Sequence, residues 1–313
     1  MELGHVVVLA GGLSYEREVS LRSGRRVTDA LRALDIPVEL RDADATLLDS
    51  LAEDPPDAVF PVLHGAAGED GSIRDILELL GVPYVGARPD ACRVSWDKPT
   101  AKSVVRRAGL RTPKSVALPK EVFHDLGASS VLEQILKSLG LPLFVKPTRG
   151  GSALGASAVH DAADLSAAMV GCFAYGDAAL VEQYVSGTEV AVSVIERDGV
   201  PTALPAVEIV APGGRYDYTA RYDAGDTEFV TPARLTPEAT ARATEAAVTA
   251  HRALGLRDLS RTDLIVSPDG EVHFLEVNVA PGMTETSLFP RAISGADLDL
   301  GEVCRSLLTA RVR

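Results

Sequence analysis

Cysteine is scarce: 313 residues hold only Cys92, Cys172 and Cys304. They are odd in number, widely spaced and form no CxxC pair, which excludes a disulfide framework and gives no sign of a zinc site. No apolar run is long enough to span a bilayer. The opening MELGHVVVLAGG lacks the basic stretch and small-residue cleavage site of a secretory signal. A reducing, cytoplasmic setting is therefore expected. An excess of basic charge is missing too. The formal net charge of −13 argues against non-specific nucleic-acid binding, which needs a basic face to neutralise phosphates. It leaves room for a local basic pocket that takes a small anion.

The chain is 46% apolar and 24% charged, the range of ordinary globular proteins, and long enough for one large domain or two to three small ones. Strand-like and helical stretches alternate from the start. VVVLAGG reads as a buried strand ending in a glycine turn, and SLRSGRRVTDALRALD as a helix with Val27, Leu31 and Leu34 at helical spacing. DAVFPVLHG reads as a strand, SIRDILELLG as a helix with Ser72 and Asp75 in capping-box spacing, and VPYVG as a further strand. This order predicts a small parallel, doubly wound sheet over roughly the first ninety residues. A helix is expected over Ser95 to Ala108, then two strands flanking the glycine-rich PTRGGSALG. Antiparallel strands with a turn at Asp198-Gly199 follow, then a polar lid-like loop from Ala211 to Pro232 and a helix over Pro237 to Leu254. The pattern implies three α/β lobes around a cleft: 1–93, 94–185 and 186–313.

The segment LSRTDLIVSPDGEVHFLEVNVAPGMTETSL has two alternating apolar runs around Asp269-Gly270, which predicts a hairpin with a two-residue type I′ loop. Counting outward from that loop pairs Asp263 with Glu276 and Arg261 with Asn278, all four on one face. Carboxylates directly opposite repel by roughly 0.2–1 kcal/mol, so a cation is expected between them. Arg261 is one candidate, and oxygen-rich pairs of this kind also hold Mg2+. By itself the hairpin is equally a solvent-exposed one with a surface ion pair.

In the glycine-rich loop, backbone N–H groups can turn toward phosphate oxygens, with Lys146 and Lys98 as counter-charges. No Gly-Lys-Ser/Thr opens a helix, so this is not a Walker A loop. A flexible hairpin tip is the commoner reading of such a loop alone; beside a carboxylate hairpin the nucleotide reading gains weight. In VEQYVSGTE, Glu182, Gln183 and Val185 could face an adenine edge and Glu189 ribose hydroxyls. Unsupported, this is a strand and a turn.

Taken together these segments resemble the ATP-grasp fold, and more closely the D-alanine–D-alanine ligase family. GGLSYEREVSLRSG, LHGAAGEDGSIRDILELLGVPYVG, FVKPTRGGSALGAS, YDYTARYD and RTDL…FLEVNVAPGMTETSL carry the likeness along essentially the whole chain. It implies that ATP phosphorylates the carboxylate of a first D-alanine and that the amine of a second attacks the acyl phosphate. The metal would be Mg2+, two ions on Asp263, Glu276 and Asn278 with Mn2+ as a substitute, and a K+ requirement stays open. Lys98, Lys146 and Arg221 fall at the phosphates. Arg261 and the backbone of Gly282 fall at the tetrahedral oxyanion. Glu16 falls at the first ammonium with His64 nearby, and Ser287 with Leu288 at the second carboxylate. Glu16, Ser152 and Tyr222 match a trio that closes the lid, and a tyrosine rather than a histidine at 222 favours amide over ester formation. The likeness also implies a homodimer.

Several positions depart from the family pattern. Arg221 stands where lysine is common, Gly150 where glutamate is, and Gln183 where lysine often meets the adenine, while NVAPG replaces NTSPG. The planar fork of an arginine is not a point charge. Two rivals stay open: a ligase of the same fold that joins other amino acids, and a non-catalytic ATP-binding regulator. A dinucleotide oxidoreductase, suggested by VVVLAGG alone, lacks GxGxxG.

Overall fold

The computed structural model describes residues 3–211 and 227–312. VVVLA forms β1 (Val6–Ala10), the middle strand of a parallel sheet between β2 (Val38–Asp42) and β3 (Ala58–Pro61). Every residue of β1 is buried because both faces are covered. Val6, Val8 and Ala10 feed one core with Val27 and Leu31 of α1 (Arg17–Arg32). Val7 and Leu9 feed a second with Leu47 and Leu51 of α2 (Leu47–Glu53) and Leu77, which lies beyond the short α3 (Ala66–Glu69) in α4 (Ser72–Leu79).

Three expectations for this lobe need correction. The first helix begins at Arg17 rather than at Ser20, because the Arg17 guanidinium is anchored early by Asp42 at 2.5 Å and the Gly12 carbonyl at 2.9 Å. Ser72 is not a cap; its own N–H donates to Asp70 at 2.8 Å, and Gly71 precedes the helix in a left-handed conformation. VPYVG makes only an isolated bridge between Tyr84 and Val59, and Pro83, with no N–H, cannot extend the ladder.

The second sheet is antiparallel, in the order β4 (Ser115–Pro119), β7 (Ala178–Gln183), β5 (Leu143–Pro147), β6 (Ser157–Val159). Here α8 (Ala128–Leu139) and α9 (Leu165–Phe173) cover one face through Ile135, Leu139, Leu165 and Met169, and α7 (Lys120–Asp125) lies at its edge. The expected strands around the glycine-rich loop are β5 and β6.

The third sheet, among the described residues, runs β11 (Glu228–Val230), β10 (Val207–Val210), β8 (Thr188–Arg197), β12 (Leu259–Val266), β13 (Val272–Asn278), with β9 (Val200–Ala203) also on β8. Arg197 pairs with Val200, which leaves Asp198-Gly199 as the expected two-residue turn. On one face α10 (Pro237–Ala253) packs through alanines 239, 243, 246, 247 and 250. Also in that core are α5 (Pro89–Trp96) and α6 (Lys98–Arg107), in place of the single helix expected over Ser95 to Ala108. The break falls at Asp97, which is extended and whose carboxylate accepts from the Thr100 N–H at 3.1 Å. Pro99 then sits in the first turn, where a missing N–H costs nothing.

On the opposite face Ala191, Ile195 and Leu259 share a core with Val6, Phe60 and the closing helices α11 (Leu288–Gly295) and α12 (Leu300–Val312). That shared core fixes the ends of β1 and β3 relative to the β12–β13 hairpin.

Gly24 sits inside α1 where a Cβ would lie 2.6 Å from the Ala10 Cβ and 2.8 Å from the Leu40 Cδ1. Gly171, inside α9, has nothing within 4 Å of such a Cβ. Gly24→Ala is therefore expected to destabilise by about 1–3 kcal/mol through overpacking. Gly171→Ala should instead stabilise by roughly 0.5–1 kcal/mol. Urea unfolding of both variants checks the contrast.

Candidate active site

The catalytic candidates of the N-terminal lobe lie where the parallel strands end, the usual crevice of such sheets. Glu16 stands at the start of α1 and His64 three residues beyond β3. The Ser152 hydroxyl donates to the Glu16 carboxylate, which joins the glycine-rich loop to this lobe. His64 donates from Nδ1 to the Ala280 carbonyl at 3.1 Å, and its Nε2 accepts from the Ser23 hydroxyl at 3.3 Å. Burial pushes its imidazole below the ordinary range, although the Glu16 carboxylate acts the other way. Ser23 Oγ in turn accepts from the Met283 N–H at 3.0 Å, and Arg26 donates to the Met283 carbonyl at 3.3 Å. The segment that carries Gly282 is thus held from both sides by N-terminal residues.

Glu69 lines the same cavity and was not singled out in the sequence, although it lies in LHGAAGEDGS. One of its oxygens accepts from the Gly65 N–H at 3.0 Å. Burial, reinforced by Glu16, raises its carboxyl to about 8.

Around the glycine-rich loop, Lys98 donates to the Gly150 carbonyl at 2.7 Å, the Lys98 N–H to the Thr148 carbonyl at 2.9 Å, and Arg149 to Asp97 at 3.0 Å. Gly150 has φ +136° and Gly155 φ +70°. That region disfavours side chains, which gives a structural reason for glycine at 150. Ser152 (φ 54°) and Ala153 (φ 56°) are also left-handed, and such strain gathers at functional loops.

The hairpin pairs Arg261 with Asn278 and Asp263 with Glu276, as the counting required. The turn differs. Ser267 N–H donates to the Glu271 carbonyl at 2.9 Å, leaving a three-residue loop of Pro268, Asp269 and Gly270, with Gly270 at φ +79°. A bulge between Asp263 and Leu264 then inserts Leu275 on β13 and restores the register. It also puts Phe274 into the core with Val277 and Val279, while Leu275, Glu276 and Asn278 face the cleft. Arg261 grips Asp263 with two hydrogen bonds, 2.7 and 2.9 Å. The Asn278 Oδ1 is oriented by the Ala280 N–H at 2.8 Å. Asp263, Glu276 and Asn278 offer hard oxygen donors from one stretch of the hairpin, a donor set that suits Mg2+ and not a soft metal.

Charges alternate inward from Glu276. Its Oε2 lies 3.6 Å from Lys98 Nζ and 3.7 Å from Lys146 Nζ. Lys146 is 3.5 Å from Glu182 Oε2, and Lys102 is 2.5 Å from Glu182 Oε1. Burial opposes the charge of Lys146, but Glu182 and Glu276 outweigh it and hold its ammonium above the ordinary value. Burial pushes Lys102 down to about 8, with Glu182 opposing. Lys102 was missed in the sequence; its signal was the four-residue spacing from Lys98 on one helix face. Glu182 is placed with its carboxylate against two lysines. The Gln183 amide donates to the Leu139 carbonyl at 2.7 Å, so it is anchored on α8.

At the far end, Ser287 precedes α11 at its N-cap position, without a side-chain bond to the helix, and Leu288 opens it. Ser287 Oγ accepts from the Thr284 N–H at 3.0 Å, and a Cβ on Gly282 would lie 2.7 Å from that same oxygen.

Two cavities result. One is lined by Glu16, His64, Arg261, Gly282, Ser287 and Leu288. The other, larger one is lined by Lys146, Glu182, Gln183, Val185, Glu189 and Asp263. Lys98, Gly150, Gly151 and Glu276 belong to both walls. Tyr222 and Arg221 lie outside the described residues.

Because Glu69 carries a raised folded-state pKa, its protonated form contributes stability that is complete below the unfolded value of 4.5 and lost as pH rises toward about 8. Glu69→Gln should therefore lose less stability between pH 5 and 8 than the parent, measured by urea unfolding across that window.

The cavities can be set beside known proteins. A family model described as D-ala D-ala ligase C-terminus matches residues 104–309, and one described as D-ala D-ala ligase N-terminus matches residues 39–87. The D-alanine--D-alanine ligase of Bordetella petrii is 39% identical over 307 residues, 98% of this chain and 92% of that protein. The crystal structure of VanG D-Ala:D-Ser ligase from Enterococcus faecalis superposes with TM-score 0.84 at 30% identity, covering 100% of both chains. That of D-alanine--D-alanine ligase from Bacillus anthracis complexed with ATP gives 0.81 at 26%, covering 99% of this chain and 97% of the other. By sequence and by its ATP-grasp architecture, the chain belongs to the D-alanine–D-alanine ligase family.

Proposed function

We propose that this chain joins two D-alanine molecules into D-alanyl-D-alanine with conversion of ATP to ADP and phosphate, for peptidoglycan precursor synthesis. The observation that carries the reading is the wall common to the two cavities. Lys98, the glycine-rich loop and Glu276 stand where a nucleotide in the larger cavity would meet an amino acid in the smaller one.

In the first step a carboxylate oxygen of one D-alanine attacks the γ-phosphorus and ADP leaves. Lys98 and Lys146 offset phosphate charge, and the backbone of Gly150 and Gly151, which lines the same wall, would follow the phosphates. Mg2+ held by Asp263, Glu276 and Asn278 would supply further charge neutralisation; a pair of ions, Mn2+ as a substitute and a K+ requirement are finer expectations. Glu16, held by Ser152, takes the ammonium of the first D-alanine. In the second step the free amine of the other D-alanine attacks the acyl carbon. The oxyanion gathers at Arg261 and the Gly282 N–H, then the carbon–oxygen bond to phosphate breaks and the departing phosphate takes up the proton lost by the amine. The start of α11, with Ser287 and the Leu288 N–H, suits the remaining carboxylate, since helix N-termini attract anions. Neutral His64 acts on this site by holding the segment around Gly282. Tyr222 and Arg221 keep the lid and phosphate roles that the family likeness gives them. A homodimer and a cytoplasmic location are carried by that likeness too; among the described residues no helix is long and apolar enough to cross a membrane.

Purified protein with Mg-ATP should release ADP in the presence of D-alanine and form a product with the mass of the dipeptide, and L-alanine should be inert. D-serine and D-lactate belong in the same panel. Turnover with one of these and none with D-alanine would move the reading to a relative with another second substrate. Binding of ATP with no turnover on any acceptor would leave a regulator.

Arg261→Ala removes an oxyanion donor and should lower kcat by about 10²–10³-fold. Excess chelator should abolish ADP release, and added Mg2+ should restore it.

A further inference from the structure

Lys102 lines neither cavity, yet it is a fully enclosed ammonium, 0% exposed, one helical turn deeper than Lys98 on α6. A charge so placed must be matched. Its match is Glu182, 2% exposed, whose Oε1 lies 2.5 Å away; Lys102 Nζ also reaches the Phe274 carbonyl at 3.5 Å. The other oxygen of Glu182 is 3.5 Å from Lys146, which lines the larger cavity. One buried carboxylate is thus shared by two ammonium groups; with Glu276, 3.7 Å from Lys146 and 3.6 Å from Lys98, three lysines face two carboxylates, and the surplus positive charge lies on the cavity side.

We propose that Lys102 is a positioning residue for phosphate binding: by neutralising Glu182 from the side away from the cleft, it leaves the Lys146 ammonium available to the nucleotide phosphates. The inference rests on the nucleotide reading of the larger cavity. Without Lys102 the buried carboxylate has Lys146 as its nearest cation. Attraction then draws that ammonium back from the cavity, and the positive charge facing a phosphate chain falls by one. Lys98 does not replace it, because its ammonium is held by the Gly150 carbonyl at 2.7 Å. The effect is specific to phosphate. Lys102 is on the far side of Glu182 from the cavity, so a ligand without phosphates gains nothing from it.

The test compares affinities for Mg-ATP and for adenosine, by calorimetric titration and competition, in the full chain. In Lys102→Met the preference for Mg-ATP over adenosine should fall about tenfold, equivalent to about 1.4 kcal/mol. Adenosine affinity and the KM for D-alanine should stay within about twofold of the parent, about 0.4 kcal/mol on the same scale. In Lys102→Met/Glu182→Gln the preference should recover, because Lys146 no longer faces a lone buried carboxylate.

An unchanged preference in Lys102→Met overturns the proposal. So does an equal loss for adenosine and Mg-ATP, the mark of a merely structural role, or a lowered preference that persists in the double variant. If Lys102→Met fails to fold by circular dichroism, Lys102→Gln decides on the same terms: a tenfold lower preference supports the proposal and a parental preference overturns it. A parent chain that binds adenosine and Mg-ATP equally would overturn the nucleotide reading itself, and this proposal with it.

Discussion

Asp263 and Glu276 stand directly opposite each other on neighbouring antiparallel strands. Two carboxylates so placed repel unless cations lie among them. The surrounding structure supplies those cations from three directions. Arg261 comes from the same strand, Lys98 from the start of α6 and Lys146 from the end of β5. Lys146 in turn shares Glu182 with Lys102, so positive and negative groups alternate from the hairpin into the interior. Removing one member of such a buried series leaves an unmatched charge. The arrangement therefore ties the central sheet, α6 and the hairpin to one relative placement, and the two cavities meet along that line.

The N-terminal lobe contributes a different kind of constraint. Its apolar core is continuous with one face of the third sheet, so Glu16 and His64 are fixed relative to the hairpin by packing. Directional bonds then set the details. Ser23 and Arg26 on α1 hold both the N–H and the carbonyl of Met283, and His64 holds the Ala280 carbonyl. Gly282 lies between these points. Its N–H needs an aim fixed before substrate arrives if it is to serve a developing oxyanion.

Much of this was legible in the sequence, though not always for the expected reason. The pairing of Asp263 with Glu276 was counted from a two-residue turn with no bulge. The chain has a three-residue turn and a bulge at Leu275, and the two offsets cancel. Alternation fixes which face a side chain takes, but nothing in it reveals a compensating insertion. The strand β2 went unread because its residues are half exposed and show no clean alternation. VPYVG looked like a strand because it is apolar, and its proline limits it to a bridge. Lys102 and Glu69 were passed over because a lysine on a helix and a glutamate in a turn are ordinarily solvated. Only the tertiary structure shows them enclosed. The glycine at 150 looked like a departure, and its φ of +136° accounts for it.

The proposed meeting of nucleotide and amino acid along one wall requires a D-alanine carboxylate oxygen to attack phosphorus directly. Turnover with D-alanine labelled with oxygen-18 in both carboxylate oxygens tests it most directly. Each phosphate released should carry one labelled oxygen, and the new amide carbonyl should keep the other. Phosphate free of label, with dipeptide still formed, would contradict it.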